Sequence, residues 1–239
     1  MKKVVSIIGT FLILLTGCTV TAQKDGYVEE TRGSMINKGY YVNGQKDGVW
    51  IQEQKSGTIT KIESYKEGKK QGAFITFDRR GYVSKQEYYK DGKLDGWAIE
   101  YSGANKPKSK IHYKDGVLDG KKFLYYDNGR MQEESNYKNG KKDGQSKWYD
   151  QSQKVIAIYN YKDGNFEGEN KSFYPNGNVM KVENYTNNIL NGEYKEYYRT
   201  GKLKVAGKYV DGLKDGEWVE YDAHGQVVKT SKFVKGKEK

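Results

Sequence analysis

The sequence predicts an all-β fold: an elongated single-layer array of stacked antiparallel β-hairpins, built from nine 24-residue repeats of two strands each. Three observations predict it. An aromatic ring recurs without a slip at Tyr41, Tyr65, Tyr89, Tyr113, Tyr137, Tyr161, Tyr185, Tyr209 and Phe233. Three residues past each ring stands a glycine, with Asn188 the one exception, and four further on stands another, at Gly48, Gly72, Gly96, Gly120, Gly144, Gly168, Gly192 and Gly216. The mean hydropathy of −0.96 and hydrophobic content of 35% would by themselves describe an unfolded chain, yet the chain holds 22 tyrosines, most of them in phase. Disordered segments are poor in aromatic residues.

Residues 1–17 read as a lipoprotein signal peptide. Met1, Lys2 and Lys3 give a positive start, and Val4 to Leu15 is apolar or small apart from Ser6 and Thr10. That run is too short to span a bilayer and suits a signal-peptide core. It ends Leu15-Thr16-Gly17-Cys18, which resembles the lipobox of bacterial lipoproteins. The resemblance implies cleavage before Cys18 and acyl chains, palmitate among them, on the new N-terminus. Cys18 is the one cysteine in the chain, so no disulfide forms within a molecule. Two or more acyl chains suffice for stable anchoring. Residues 18–26 then form the lipidated cysteine and a short linker, and 27–239 the array. Loss of Lys2 and Lys3 takes the formal charge from +11 to +9.

Within the array, each unit is numbered from its opening glycine as phase 0, so that nine units fill residues 24–239, with Lys24 in place of the first glycine. Phase 5 is aromatic in seven units, from Phe77 to Tyr221, and acidic in the first two, at Glu29 and Glu53. Phase 11 is apolar except at Pro107, and phase 17 is the invariant ring. These phases are all odd, and a strand points alternate residues to one face. The pattern therefore predicts a strand over phases 1–6, a second over phases 10–17, and phases 5, 11 and 17 together on one core face. Pairs such as Asn128-Gly129 and Thr200-Gly201 sit between the strands and supply positive φ for a tight hairpin. The stretch Tyr89 to Gly96 holds the two glycines of the connection to the next unit. Glu29 and Glu53 suit a polar N-terminal cap. Eighteen strands at about 4.8 Å each predict a sheet roughly 80 Å long.

The pattern Gly-x-aromatic-x-x-Tyr, then Asn-Gly, then Tyr-x-x-Gly-x-x-x-Gly resembles the MORN repeat in its bacterial variant form. Gly216-Glu217-Trp218-Val219-Glu220-Tyr221 and Gly192-Glu193-Tyr194-Lys195-Glu196-Tyr197 carry the first half, and Tyr-Lys-Asp-Gly at 89–92, 113–116 and 161–164 carries the second. The resemblance covers 27–239 and implies single-layer stacked hairpins. It is similar to a bacterial group labelled antitoxins of the YwqK type, and it implies binding of lipid or protein partners in some members.

Chemistry has no foothold in the pattern. His112 falls at phase 16 and His224 at phase 8 of distant units, so no histidine dyad or metal site is expected. The aspartates at phases 19 and 23 read as turn residues without calcium-loop spacing. No catalytic residue, metal or cofactor is assigned. Trp50, Trp97, Trp148, Trp218, Tyr88, Tyr126, Tyr174 and Tyr198 stand outside the regular ladders and form the candidate contact surface. The expected function is that of a membrane-anchored, non-enzymatic scaffold of the bacterial cell envelope that binds a protein partner. The alternatives are an antitoxin or immunity protein and a binder of anionic lipid or acidic glycan, the last through the basic excess. An exported chain does not meet nucleic acid.

Overall fold

The computed structural model describes residues 25–103 and 106–239. The signal peptide and Cys18 lie outside the described residues. Those described are all-β, without helix, and form one open antiparallel sheet in which each strand pairs with its neighbours in the chain.

Each unit contributes a leading strand and a returning strand. In the second unit these are Gln45–Gln54 and Ile59–Lys66, in the fifth Val117–Tyr125 and Met131–Lys138, and in the ninth Leu213–Tyr221 and Val227–Val234. In four units the leading strand is interrupted, as in Lys93–Leu94 followed by Gly96–Ser102. Counted with the interrupted strands joined, the 23 assigned segments give eighteen strands and the stub Lys237–Glu238, which opens a further leading strand.

The connection between units is tighter than the two-glycine stretch suggests. Asp91 and Gly92 both have positive φ, 49° and 83°, and Lys90 pairs with Lys93 across them. This is a two-residue turn of the type whose twist matches the flanking strands. The leading strand therefore starts at phase 21. The glycine at phase 0 serves a second purpose. Lys38 pairs with Ile51 and Tyr40 with Asp47, so Gly48, Val49 and Trp50 together stand opposite Gly39. The bulge requires positive φ at Gly48, which is 72°.

A second bulge sits inside the hairpin. Thr76 pairs with Lys85 but Phe77 with Val83, and the same shift recurs at Trp148/Tyr149 and Glu220/Tyr221. It overturns the expectation that phases 5, 11 and 17 share a face. The extra residue at phase 12 reverses the alternation, as a one-residue slip does in any strand. Phase 17 lies on one face with phases 2, 13 and 15, here the ladder face. Phases 5 and 11 lie on the reverse face with phases 1, 3, 14 and 16. Ion pairs confirm the split: Lys38 at phase 14 meets Glu53 at phase 5 of the next unit at 2.7 Å.

The first hairpin departs from the others. Gly26 stands opposite Tyr41, no shift interrupts the pairing down to Arg32 and Met35, and the chain turns at Gly33-Ser34. Gly26, rather than Lys24, thus takes the place of the phase 0 glycine, and Glu29 pairs with Lys38 rather than filling a phase 5 site.

Candidate binding faces

The ladder face is held by rings from two phases. Phe74 at phase 2 lies edge-on between Tyr65 and Tyr89, with centroids 5.4 and 4.8 Å away. Trp50 meets Tyr41 at 5.0 Å, and Trp218 meets Tyr209 at 5.0 Å. Such edge contacts suit the quadrupole of the rings. Lysines at phase 22 lie over the same rings: Lys46 is 4.1 Å from the Trp50 centroid and 4.9 Å from that of Tyr65, and Lys214 is 4.2 Å from that of Trp218. Trp50 and Trp218 are 1% and 4% exposed. The indole N–H of Trp50 donates to the Tyr40 carbonyl at 3.1 Å, and that of Trp218 to the Lys208 carbonyl at 3.2 Å. Each indole lies against a phase 15 glycine, Gly39 or Gly207, where an added Cβ would overlap the ring. A single-layer sheet has no second layer to cover its rings, so the rings lie down on its backbone.

The middle of this face is polar. Ser135 and Ser146 are fully buried, and Ser135 Oγ donates to Glu133 Oε1 at 2.6 Å. Lys142 Nζ lies 3.0 Å from the same oxygen. Burial pushes the Glu133 carboxyl up, but the Ser135 hydroxyl and Lys142 outweigh it and hold the group below the usual carboxylate range. Burial raises the phenol pKa of the phase 17 residues Tyr65, Tyr89, Tyr137, Tyr185 and Tyr209, and takes Tyr161 up to about 12. At the C-terminal end of the face a shallow cavity of about 440 Å³ is lined by Tyr194, Tyr209, Trp218 and Phe233 with charged neighbours.

The reverse face carries ring contacts of its own. Trp97 stacks on Phe123 at 6.1 Å, meets His112 edge-on at 5.0 Å and lies under Lys110 at 4.3 Å. His112 Nδ1 is 2.7 Å from the Asp119 carbonyl, so the ring braces the strand. Tyr40, Val49 and Tyr88 are 55%, 56% and 39% exposed. Toward the turns this face carries lysines at phases 18 and 21. Lys138, Lys141 and Lys162 share with Asn160 a groove of about 860 Å³.

The turns of successive units are tied to one another. The Asp95 carboxylate accepts the N–H of Asp115 at 3.2 Å, and Asp119 that of Asn139 at 3.1 Å. The same bond recurs from Asp47 to Glu67 and from Asp215 to Lys235. In parallel the Gly116 N–H donates to the Leu94 carbonyl at 2.7 Å. The phase 23 acids therefore line up the turns; they do not converge on an ion. Among the described residues no group of three His, Cys, Asp or Glu side chains is placed to hold a metal.

The candidate contact surface needs correction. Trp50 and Trp218 are buried on the ladder face, because phase 2 is a core position that the odd-phase rule left out. Trp97, Trp148, Tyr126, Tyr174 and Tyr198 are half-buried. Trp148 packs on Tyr159 of the ladder face at 5.1 Å, under Lys142. Tyr126, Tyr174 and Tyr198 each donate a hydroxyl to the phase 5 carbonyl of the next unit, at 2.7, 2.8 and 2.7 Å. They are braces between hairpin loops. Tyr88 does stand exposed, and it shares the reverse face with exposed Tyr40 and Val49, which alternation plus the bulges would have identified. Gly96, Gly120 and Gly144 all have positive φ at the inter-unit bulge.

A family model described as MORN repeat variant matches residues 118–139, 166–187, 190–211 and 214–235. Each match begins just past one two-residue turn and ends within the next, so the matched segment coincides with the structural hairpin. No curated protein matches the chain. Among solved structures, the chain is similar to part of a Tc holotoxin pore of Photorhabdus luminescens, at 13% identity and a TM-score of 0.21. The similarity covers 84% of this chain and 12% of that one, so this chain spans about an eighth of the length of the structure it matches. Four of the hairpins thus match the MORN repeat variant, and the same 24-residue register and hairpin geometry run through the rest of the described residues.

Proposed function

We propose that this chain is a membrane-anchored, non-enzymatic scaffold of the bacterial cell envelope that holds a protein partner on an open face of its sheet. The observation that supports the reading is the single layer itself. Residues of equal phase stand in columns about 10 Å apart, and no second layer covers the reverse face among the described residues. Such a surface suits an extended partner better than a small substrate. Anchoring rests on Leu15-Thr16-Gly17-Cys18 after the apolar run. A fatty-acid probe is expected to label the wild type and not Cys18→Ala; equal labelling of both contradicts the anchor.

The scaffold reading is tested by a pull-down with the ectodomain from residue 19 at low and high salt, beside panels of anionic liposomes and acidic glycans. Salt-resistant capture of one protein is the expected result. Salt-sensitive binding to liposomes or glycans alone would replace the protein partner by an acidic ligand, since exposed charge pairs are screened. Turnover of any substrate would contradict the non-enzymatic assignment.

A further inference from the structure

On the reverse face, phases 1, 3 and 16 change character halfway along the array, while phase 14 runs the other way, from Lys38, Gln86 and Lys110 to Ile158, Val182 and Ala206. At phases 1 and 3 the second, third and fourth units carry Val49 and Ile51, Ala73 and Ile75, and Trp97 and Ile99. The sixth, seventh and eighth carry Gln145 and Lys147, Glu169 and Lys171, and Glu193 and Lys195. At phase 16, Tyr40 and Tyr88 in the first half give way to Asn136, Asn160 and Asn184 in the second. The ring at phase 17 and the glycine at phase 0 continue through both halves. The hairpin therefore folds with either set at phases 1 and 3, and of the apolar set Val49, Tyr40 and Tyr88 stand exposed. Exposed apolar surface of that kind marks a contact site.

A row of lysines borders the apolar strip. Phases 17 and 22 pair on the ladder face, so phases 18 and 21 point to the reverse face. Lys66, Lys69, Lys90, Lys93 and Lys114 occupy these positions, all exposed and none in an ion pair among the described residues. The nearby Asp95 and Asp119 carboxylates are taken up by turn N–H groups, which leaves Glu67, Asp91 and Asp115 at the turn tips as the free acids. The strip spans three units, about 30 Å by about 20 Å, or about 600 Å², which is one side of a small interface.

We propose that the reverse face of the second to fourth units docks an acidic amphipathic segment of a protein partner, its apolar side on the strip and its carboxylates on the lysine row. This rests on the scaffold reading above and names where and what it binds. A second copy of this chain fits less well. Face to face, a two-fold axis along the strands sets the lysine row against itself. An axis along the array sets it against the loop edge, which carries Arg79 and Arg80. Like charges across an interface disfavour both arrangements.

The test places a photo-crosslinking phenylalanine analogue at position 88, or at position 184 of the same phase in the second half, in the full chain in its host cell. The expected result is a protein adduct at 88 and not at 184, whose crosslinked peptide is acidic and amphipathic. Changing Lys66, Lys90 and Lys114 together to Glu is expected to lower the adduct about tenfold with the circular dichroism unchanged. An adduct at 184 alone leaves the scaffold reading intact and overturns this assignment. No protein adduct at either position overturns both. An adduct with lipid, with a second copy or with a basic peptide, or insensitivity to the three lysine changes, also overturns it.

Discussion

At the scale of single residues, the array is held by size matching across its seams. Where phase 2 carries tryptophan, phase 15 of the preceding unit carries glycine, as in Gly39 with Trp50 and Gly207 with Trp218. Gly39→Ala and Gly207→Ala are each expected to destabilise the chain by about 1–3 kcal/mol, the usual cost of overpacking a filled site. Urea midpoints check this. Adding Trp50→Ala to Gly39→Ala should cost less than the two changes separately, because the overlap disappears with the ring. Strict additivity would show that the indole does not lie on the glycine. The pairing was written in the sequence but not readable there, since Gly39 and Trp50 become neighbours only through a bulge that places three residues opposite one.

At the scale of the hairpin, the sequence showed the period, the two strands, the loop glycines and the ladder at phase 17. It hid the faces. Strict alternation put phases 5, 11 and 17 together, and a bulge of one residue separated them. Bulges carry no signature of their own beyond glycine, and the glycine at phase 0 was open to several roles. For the same reason Trp50 and Trp218 looked like surface residues when they are core. The turn-to-turn bonds could not be anticipated either, because they join residues 20 apart through a carboxylate and a backbone N–H. Asp95→Ala is expected to cost about 1 kcal/mol through loss of its bond to Asp115. Hydrogen exchange is the sharper check: the Asp115 amide should exchange faster in the variant while amides of distant turns stay as they were. Unchanged exchange at Asp115 would show that the carboxylate does not hold the next turn.

At the scale of the whole molecule, the ladder couples the array to alkaline pH. Burial raises the phenols of Tyr65, Tyr89, Tyr137, Tyr161, Tyr185 and Tyr209 above the ordinary value of 10.0. A raised folded value means that the stabilising contribution is present in full below pH 10.0 and is lost as pH climbs through the folded values, about 12 for Tyr161. The sheet should therefore unfold in that window. Its circular dichroism should fall together with a step in tyrosinate absorbance. Ladder tyrosines that ionise near pH 10 with the sheet intact would show that they are not buried.

The central claim, an open single layer of eighteen strands, is tested most directly by small-angle X-ray scattering from the ectodomain. A sheet about 80 Å long, about 25 Å wide and about 10 Å thick has a radius of gyration of about 24 Å. A compact domain of the same length would have about 17 Å. We expect the larger value, and about 10 Å less in the longest dimension when the unit spanning 120–143 is deleted. A radius near 17 Å, or a longest dimension unchanged by the deletion, would contradict the array.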